Sequence, residues 1–484
     1  MKRNPSASPG KIPVVGGFFI ARKETLLPDT NPLGVRPVGA LLREFAVPAI
    51  ISGIVAALYN IVDQIFIGQG VGILGNAATN VAFPLVNLSL ALCLLIGAGT
   101  GANFSLNLGR GKPDLAARFV KTGIFYVLGA SLVILLFVRL FLRQLLVAFG
   151  ATDAVMDLAM IYTSITSWGI PCLMFTTGFS TLIRADGSPR YAMMCNLVGA
   201  IINTILDPLF IFGFGWGMAG AAYATIIGQT ISALITAGYF FRMKNVDLSV
   251  GPWRFEFSLA KPITSLGLSP FINQVALMIF QIVMNNTLTT YGAQSPYGSE
   301  IPLAVVGVIS KVSVIYYAFI FGISQGAQPI MGFNYGAKNF SRVKEAFFKA
   351  LKISLLISVI AFAAYQLFPR QILSIFGEGD KLYYHFGTLY FRIFLMMTCI
   401  NAIQPVCSFF FTSIGRATRG MIVSLTRQIL FLIPLVILFS RLFGVEGVLF
   451  AGPIADFAAC SVAAYLASIE MKKMRRAQEE GLAA

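Results

Sequence analysis

Apolar residues run through this chain in long blocks parted by short polar stretches. They show neither the two-residue alternation of a half-buried strand nor the single apolar stripe of a surface helix. A helix needs ~20 mostly apolar residues to cross the bilayer core. Twelve blocks meet that length, and the pattern predicts spans over 45–70, 76–106, 115–139, 154–181, 190–212, 217–241, 262–291, 301–331, 343–368, 382–411, 420–443 and 446–469. Several exceed ~25 residues and are expected to tilt or to project beyond the lipid. Stretches such as Leu94–Ala98 and Leu351–Ala364 do not alternate, which excludes a barrel of ~10-residue alternating strands. The predicted class is an all-α integral membrane protein.

Composition agrees. Of 484 residues, 57% are hydrophobic and 12% charged, about half the charged share of a soluble domain. The 36 Lys and Arg are unevenly placed. An amino-terminal arm, the even-numbered loops (with Arg416, Arg419 and Arg427 assigned to the tenth) and the tail hold nearly all of them. The odd-numbered loops hold Arg139, Arg143, Arg370, Lys381 and Arg441. The positive-inside rule then puts both termini in the cytoplasm, in a multi-pass protein of the cell membrane. The net charge of +16 follows from this rule, so no nucleic-acid partner is inferred.

Residues 1–44 are expected to form a cytoplasmic arm, because Ile12–Ile20 is too short and too Gly-rich for a signal core. All six cysteines fall inside predicted spans and behave as small apolar residues. A single histidine, His385, cannot build a zinc site, and no metal cofactor is expected.

The chain repeats itself. Gly217-Met-Ala-Gly220 opens span six and Gly444-Val-Glu-Gly447 opens span twelve, 227 residues later. Gly97, Gly101 and Ala102 are matched by Gly322, Gly326 and Ala327, and each group is followed by a Gly-and-Lys loop, Gly109–Lys112 and Gly336–Lys338. Two lobes follow, 45–241 and 262–469, joined by a linker at 242–261 and followed by a tail at 470–484. An even number of spans in each makes the repeats parallel, related by an axis along the membrane normal, a frequent transporter design.

Acids inside spans carry the functional signal, since a carboxylate in hydrocarbon is costly and usually faces a cavity. Asp63 lies in Tyr59-Asn-Ile-Val-Asp63-Gln64 of span one, and Asp207 in Asn203-Thr-Ile-Leu-Asp207-Pro208 of span five. Asn203 and Asp207 are i and i+4 on one helix face. At 1.5 Å per residue, Asp63, Asp207, Asn203 and Thr225 of span six lie ~8–13 Å below the outer face. Pro208 removes a backbone donor and frees the Thr204 carbonyl. Such a group suits a proton or an alkali cation, and the residues do not choose between H+ and Na+. The plainer reading is neutral helix–helix glue.

These residues, with Arg184-Ala-Asp-Gly-Ser-Pro and Gly217-x-x-Gly-Ala-Ala-x-Ala-Thr225, resemble the multidrug and toxic compound extrusion family, in its DinF-like and MepA-like branch. The resemblance spans both halves. It implies a V-shaped pair of six-helix lobes that exports cationic, amphipathic drugs by antiport. It implies no cofactor beyond the coupling ion, no enzymatic reaction, and a monomer. Asp63, Asn203, Asp207 and Thr225 would form the cation site, and Tyr59, Tyr162 and Gln64 would line the same cavity. Spans seven and ten carry none of the acids of another branch, which concentrates coupling in the amino lobe.

Asp456, at the repeat position of Gln229, is read as a second proton site or as helix glue. Lys311 and Arg392 are read as substrate contacts or as charge balance. Gly322-Ile-Ser324-Gln-Gly326 fits a nucleophile elbow but lies inside a span. Gly215-Trp-Gly217-Met-Ala-Gly220 fits a dinucleotide loop but joins two spans. The alternative function is a flippase for lipid-linked saccharides, whose cavity needs several Lys or Arg to hold pyrophosphate. The presence of only Lys311 and Arg392 within spans, against two acids, favours drug export.

Overall fold

The computed structural model describes residues 31–376 and 379–482. Most of the expected arm lies outside them. Within the described residues, nine single helices are long and apolar enough to span: Val38–Gly70, Leu74–Gly109, Pro113–Ala148, Asp153–Ala185, Pro189–Gly213, Gly217–Phe240, Phe257–Gly292, Glu300–Gly336 and Phe340–Leu367. Span ten is a broken pair, Lys381–Phe394 and Thr398–Ser413, bent by 47°. The stretch Ala417–Glu480 is interrupted at Gly444, where φ is +66°. Only glycine takes that conformation at no steric cost, so this stretch is spans eleven and twelve, and the total reaches the expected twelve.

The helices overrun the apolar blocks on the side of the termini, here called inner. Span one begins at Val38, not at 45, because Val38, Leu41, Leu42 and Phe45 are themselves buried in the core of the fold. A short helix, Pro32–Val35, precedes it, and Leu33 is buried. The Leu33 carbonyl accepts from Asn334 Nδ2 at 2.9 Å and from Arg342 Nη2 at 3.1 Å. The last helix runs on to Leu482. Its Glu470, 1% exposed, receives Arg416 Nε at 3.2 Å and also pairs with Arg419, so the start of the expected tail is anchored.

The two lobes are parallel repeats, and the repeat extends to fine detail. Spans two and eight end alike, with Gly111 (φ +69°) and Lys338 (φ +59°) in the left-handed region. Lys112 N donates to Asn107 O at 2.9 Å, and Asn339 N donates to Asn334 O at 2.8 Å, closing the same helix-capping motif twice. The lobes meet along span one against span eight and span two against span seven, two contacts that a half-turn interchanges. Among the described residues, every interlobe side-chain hydrogen bond lies toward the inner ends. Asn103 donates to Pro262 O at 3.2 Å, the Tyr126 and Thr264 hydroxyls are 3.0 Å apart, and Arg342 reaches the backbone before span one.

The linker is packed. Asp186, fully buried in the loop before span five, accepts from Tyr239 Oη at 2.7 Å, Lys244 N at 2.6 Å, and Asn245 N and Nδ2 at 3.0 Å each. Lys121 Nζ donates to the carbonyls of Val250 and Gly251 at 2.8 and 2.9 Å. Glu256 takes a bidentate pair from Arg118, with Nε at 2.9 Å.

Candidate functional site

Between the lobes lies a cavity of 1760 Å³. Tyr59, Asp63, Gln64, Tyr162, Asn203 and Thr225 all line it, as the sequence leads one to expect. Asp207 is fully buried just behind them. Asn203 Nδ2 donates to Asp207 Oδ1 at 3.4 Å and to Thr225 Oγ1 at 3.2 Å, joining spans five and six. The carboxyl groups of Asp63 and Asp207 face each other across spans one and five. The hydroxyls of Tyr59 and Tyr162 approach Thr225. Gln64 reaches span two, where its Nε2 donates to Thr79 at 3.0 Å.

Donors in this cluster are outnumbered. Asp63 Oδ1, Asp207 Oδ2 and Asn203 Oδ1 are buried and have no hydrogen-bond partner. A buried acceptor left unpaired costs about 1–3 kcal/mol. Three of them on adjoining side chains make a site short of positive charge, which a proton or an alkali cation would supply. The local backbone contributes: after Pro208 the helix widens into a π turn over Leu209–Gly213, a distortion common where a helix carries a site.

The carboxyl lobe corrects two readings. Arg427, assigned to a loop, lies inside span eleven on a π turn, Thr426–Leu432, and lines the cavity. Its Nε donates to Asp456 Oδ1 at 2.6 Å, and Asn401 Nδ2 donates to Asp456 Oδ2 at 3.0 Å. Asp456 is therefore the paired partner of an arginine. Lys311 lines the cavity too, and among the described residues it makes no ion pair or hydrogen bond. Arg392 is exposed and away from the cavity wall. Arg184 lines the cavity, and its buried Nε has no partner. The charged residues on the wall are thus Asp63, Arg184, Lys311 and Arg427. Arg427 was detectable: a charge seven residues into an apolar block is itself a signal. The π turn that aims it has no sequence signature.

His385 lies outside this cavity. Tyr297 Oη stands 3.1 Å from His385 Nδ1 and donates to Glu446 Oε1 at 2.8 Å, tying the ends of spans ten and twelve away from the termini.

A family model described as MatE matches residues 48–209 and 273–438. The chain is 26% identical over 442 residues to the multidrug export protein MepA of Staphylococcus aureus (strain NCTC 8325 / PS 47), covering 89% of this chain and 93% of that one. It is 25% identical over 458 residues to an FAD transporter of Shewanella oneidensis, covering 91% and 96%. Its fold is similar to that of a MOP superfamily transporter from Pyrococcus furiosus, with a TM-score of 0.84 at 22% identity over 92% of this chain and 98% of that one. It is also similar to a structure of a multidrug resistance MATE family transporter in an outward-facing conformation, with a TM-score of 0.83 at 21% identity over 93% and 98%.

Proposed function

The chain belongs to the MatE family of transporters, and from that premise we propose that it is a secondary active exporter of amphipathic organic compounds, driven by inward movement of H+ or Na+ through Asp63, Asn203, Asp207 and Thr225. The observation that carries this reading is the set of three unpartnered oxygens, Asp63 Oδ1, Asp207 Oδ2 and Asn203 Oδ1, beside a cavity large enough for a drug-sized molecule.

The cycle follows from the geometry. With the inner ends of spans two and eight together, the cavity is closed toward the termini, which the basic loops put in the cytoplasm. An ion entering from outside settles between Asp63 and Asp207 and cancels charge there. The cavity then holds a cationic group less tightly, and substrate leaves outward. After the lobes rock, the ion leaves inward, the acids recharge, and substrate reloads. Coupling requires that ion and substrate differ in affinity for the two states.

The sequence-based case against a flippase weakens in part, because the wall carries Arg184, Lys311 and Arg427 and not Arg392. Membership of the MatE family and the acid cluster, which a pyrophosphate carrier would not need, keep solute export ahead. The test is transport of a fluorescent organic cation in proteoliposomes under an imposed pH gradient and then a Na+ gradient. Transport under one of them names the ion, and transport under neither overturns the antiport reading.

A further inference from the structure

The two lobes set different charges on the cavity. The amino lobe presents Asp63, with Asp207 behind it, and Arg184 at the inner end of span four, while the carboxyl lobe presents Lys311 and Arg427 and no acid. We propose that Lys311 and Arg427 form an anion-receiving subsite, so that the preferred substrate is an amphipathic zwitterion. Its cationic group faces Asp63, and its carboxylate or phosphate rests on the carboxyl lobe. This proposal deepens the export reading and rests on it.

Lys311 is eleven residues into span eight, ~16 Å along the helix from its start and too deep to snorkel. It is exposed on the cavity wall and has no counter-charge among the described residues. A lysine so placed repels a purely cationic ligand and attracts an acidic one. Arg427 is partly occupied: only its Nε is bonded, at 2.6 Å to Asp456. Asp456 is 2% exposed, is off the cavity wall and has its second oxygen filled by Asn401, so it is spent on Arg427. The two terminal nitrogens of the guanidinium have no hydrogen-bond partner among the described residues. They form the fork that grips carboxylate or phosphate in two parallel bonds. As a structural pair alone, Arg427 and Asp456 would cancel and leave Lys311 unexplained. Three irregularities of the carboxyl lobe surround the place: the π turns Tyr390–Phe394 and Thr426–Leu432, and the 47° break in span ten.

The test uses two dyes that differ at one group, tetramethylrhodamine with its free carboxylate and the methyl ester of the same dye. Binding to the full-length protein in phosphatidylcholine nanodiscs is read by fluorescence polarisation at neutral pH. Wild type is expected to prefer the free acid by about tenfold, the ratio that the net worth of one hydrogen bond to a charged group gives. Lys311→Gln, at an exposed position, should lose most of that preference while still binding the ester. The double variant Arg427→Gln with Asp456→Asn, which leaves no charge unpaired, should also lose it. Equal binding of acid and ester by wild type, or a full preference kept in Lys311→Gln, overturns the subsite and leaves the export cavity standing. Binding of neither dye overturns the export cavity, and the subsite with it. A preference abolished by phosphatidylglycerol in the discs assigns the subsite to lipid phosphate and overturns the solute assignment.

Discussion

Gly109 of span two and Gly336 of span eight, 227 residues apart, press reciprocally on each other's helix. A β-carbon on Gly109 would overlap the carbonyl oxygen of Phe333, and one on Gly336 would overlap that of Leu106. Leu106 and Phe333 are also 227 apart, so the half-turn relating the lobes maps this contact onto itself. Glycine is needed at both places for close backbone approach, and the contact holds the inner ends of the lobes shut.

Gly336→Val should therefore wedge the inner ends apart and shift the population away from the state seen here. Spin labels on the outer starts of spans two and eight, at Leu74 and Ser299, should read a shorter separation in the variant than in wild type. An unchanged distance distribution would show that this contact does not set the conformation.

Among the described residues, Lys338 is the non-glycine residue with positive φ, at +59°, where the repeat has Gly111. Lys338→Gly should relieve about 1 kcal/mol of left-handed strain. The measurement is thermal unfolding in detergent followed by a thiol-reactive fluorophore, since all six cysteines are free and most are buried. A lower midpoint would contradict the prediction.

Asp186 accepts four hydrogen bonds that hold the linker against spans five and six. Asp186→Ala leaves those donors unpaired and is expected to cost about 1–3 kcal/mol. The same thiol assay should show a clear drop in midpoint, and an unchanged midpoint would contradict this role for Asp186.

How much of this was legible in the sequence depends on what each feature rests on. The twelve spans, the parallel repeat and the gathering of Asp63, Asn203, Asp207 and Thr225 could be read, because apolar length, glycine pattern and intramembrane acids are all one-dimensional signals. The early start of span one could not. Val38, Leu41 and Leu42 are buried by their neighbours in the fold, and a hydropathy window does not see those neighbours. Arg427 was misassigned for a related reason: its pairing with Asp456 joins positions 29 apart. The packed linker was hidden as well, since Asp186, Asn245 and Glu256 read as ordinary loop residues until their partners are known.

Glu256 offers a pH test outside the membrane. The Arg118 guanidinium bonded to it holds its carboxyl below the usual glutamate range. A carboxylate with a depressed folded pKa contributes stability above its unfolded pKa, near 4.3, and loses it as pH falls through the folded value. Wild type should unfold at a higher temperature than Glu256→Gln at pH 7, and the gap should close as pH is lowered past 4. Exposure of Arg118 keeps the effect small and sensitive to salt. A gap that widens on acidification would contradict this assignment.

The most direct test of the central claim is gradient-driven efflux of a fluorescent organic cation from proteoliposomes holding wild type or Asp207→Asn. Both proteins should unfold at similar temperatures, because Asn fills the same space, and its amide adds a donor among the unpaired oxygens of Asp63 and Asn203. The account predicts that gradient-dependent efflux is lost in the variant by at least about tenfold, as expected when an intramembrane carboxylate carries the coupling ion. Efflux at the wild-type rate under the same gradient would contradict it and move the coupling site out of the amino lobe.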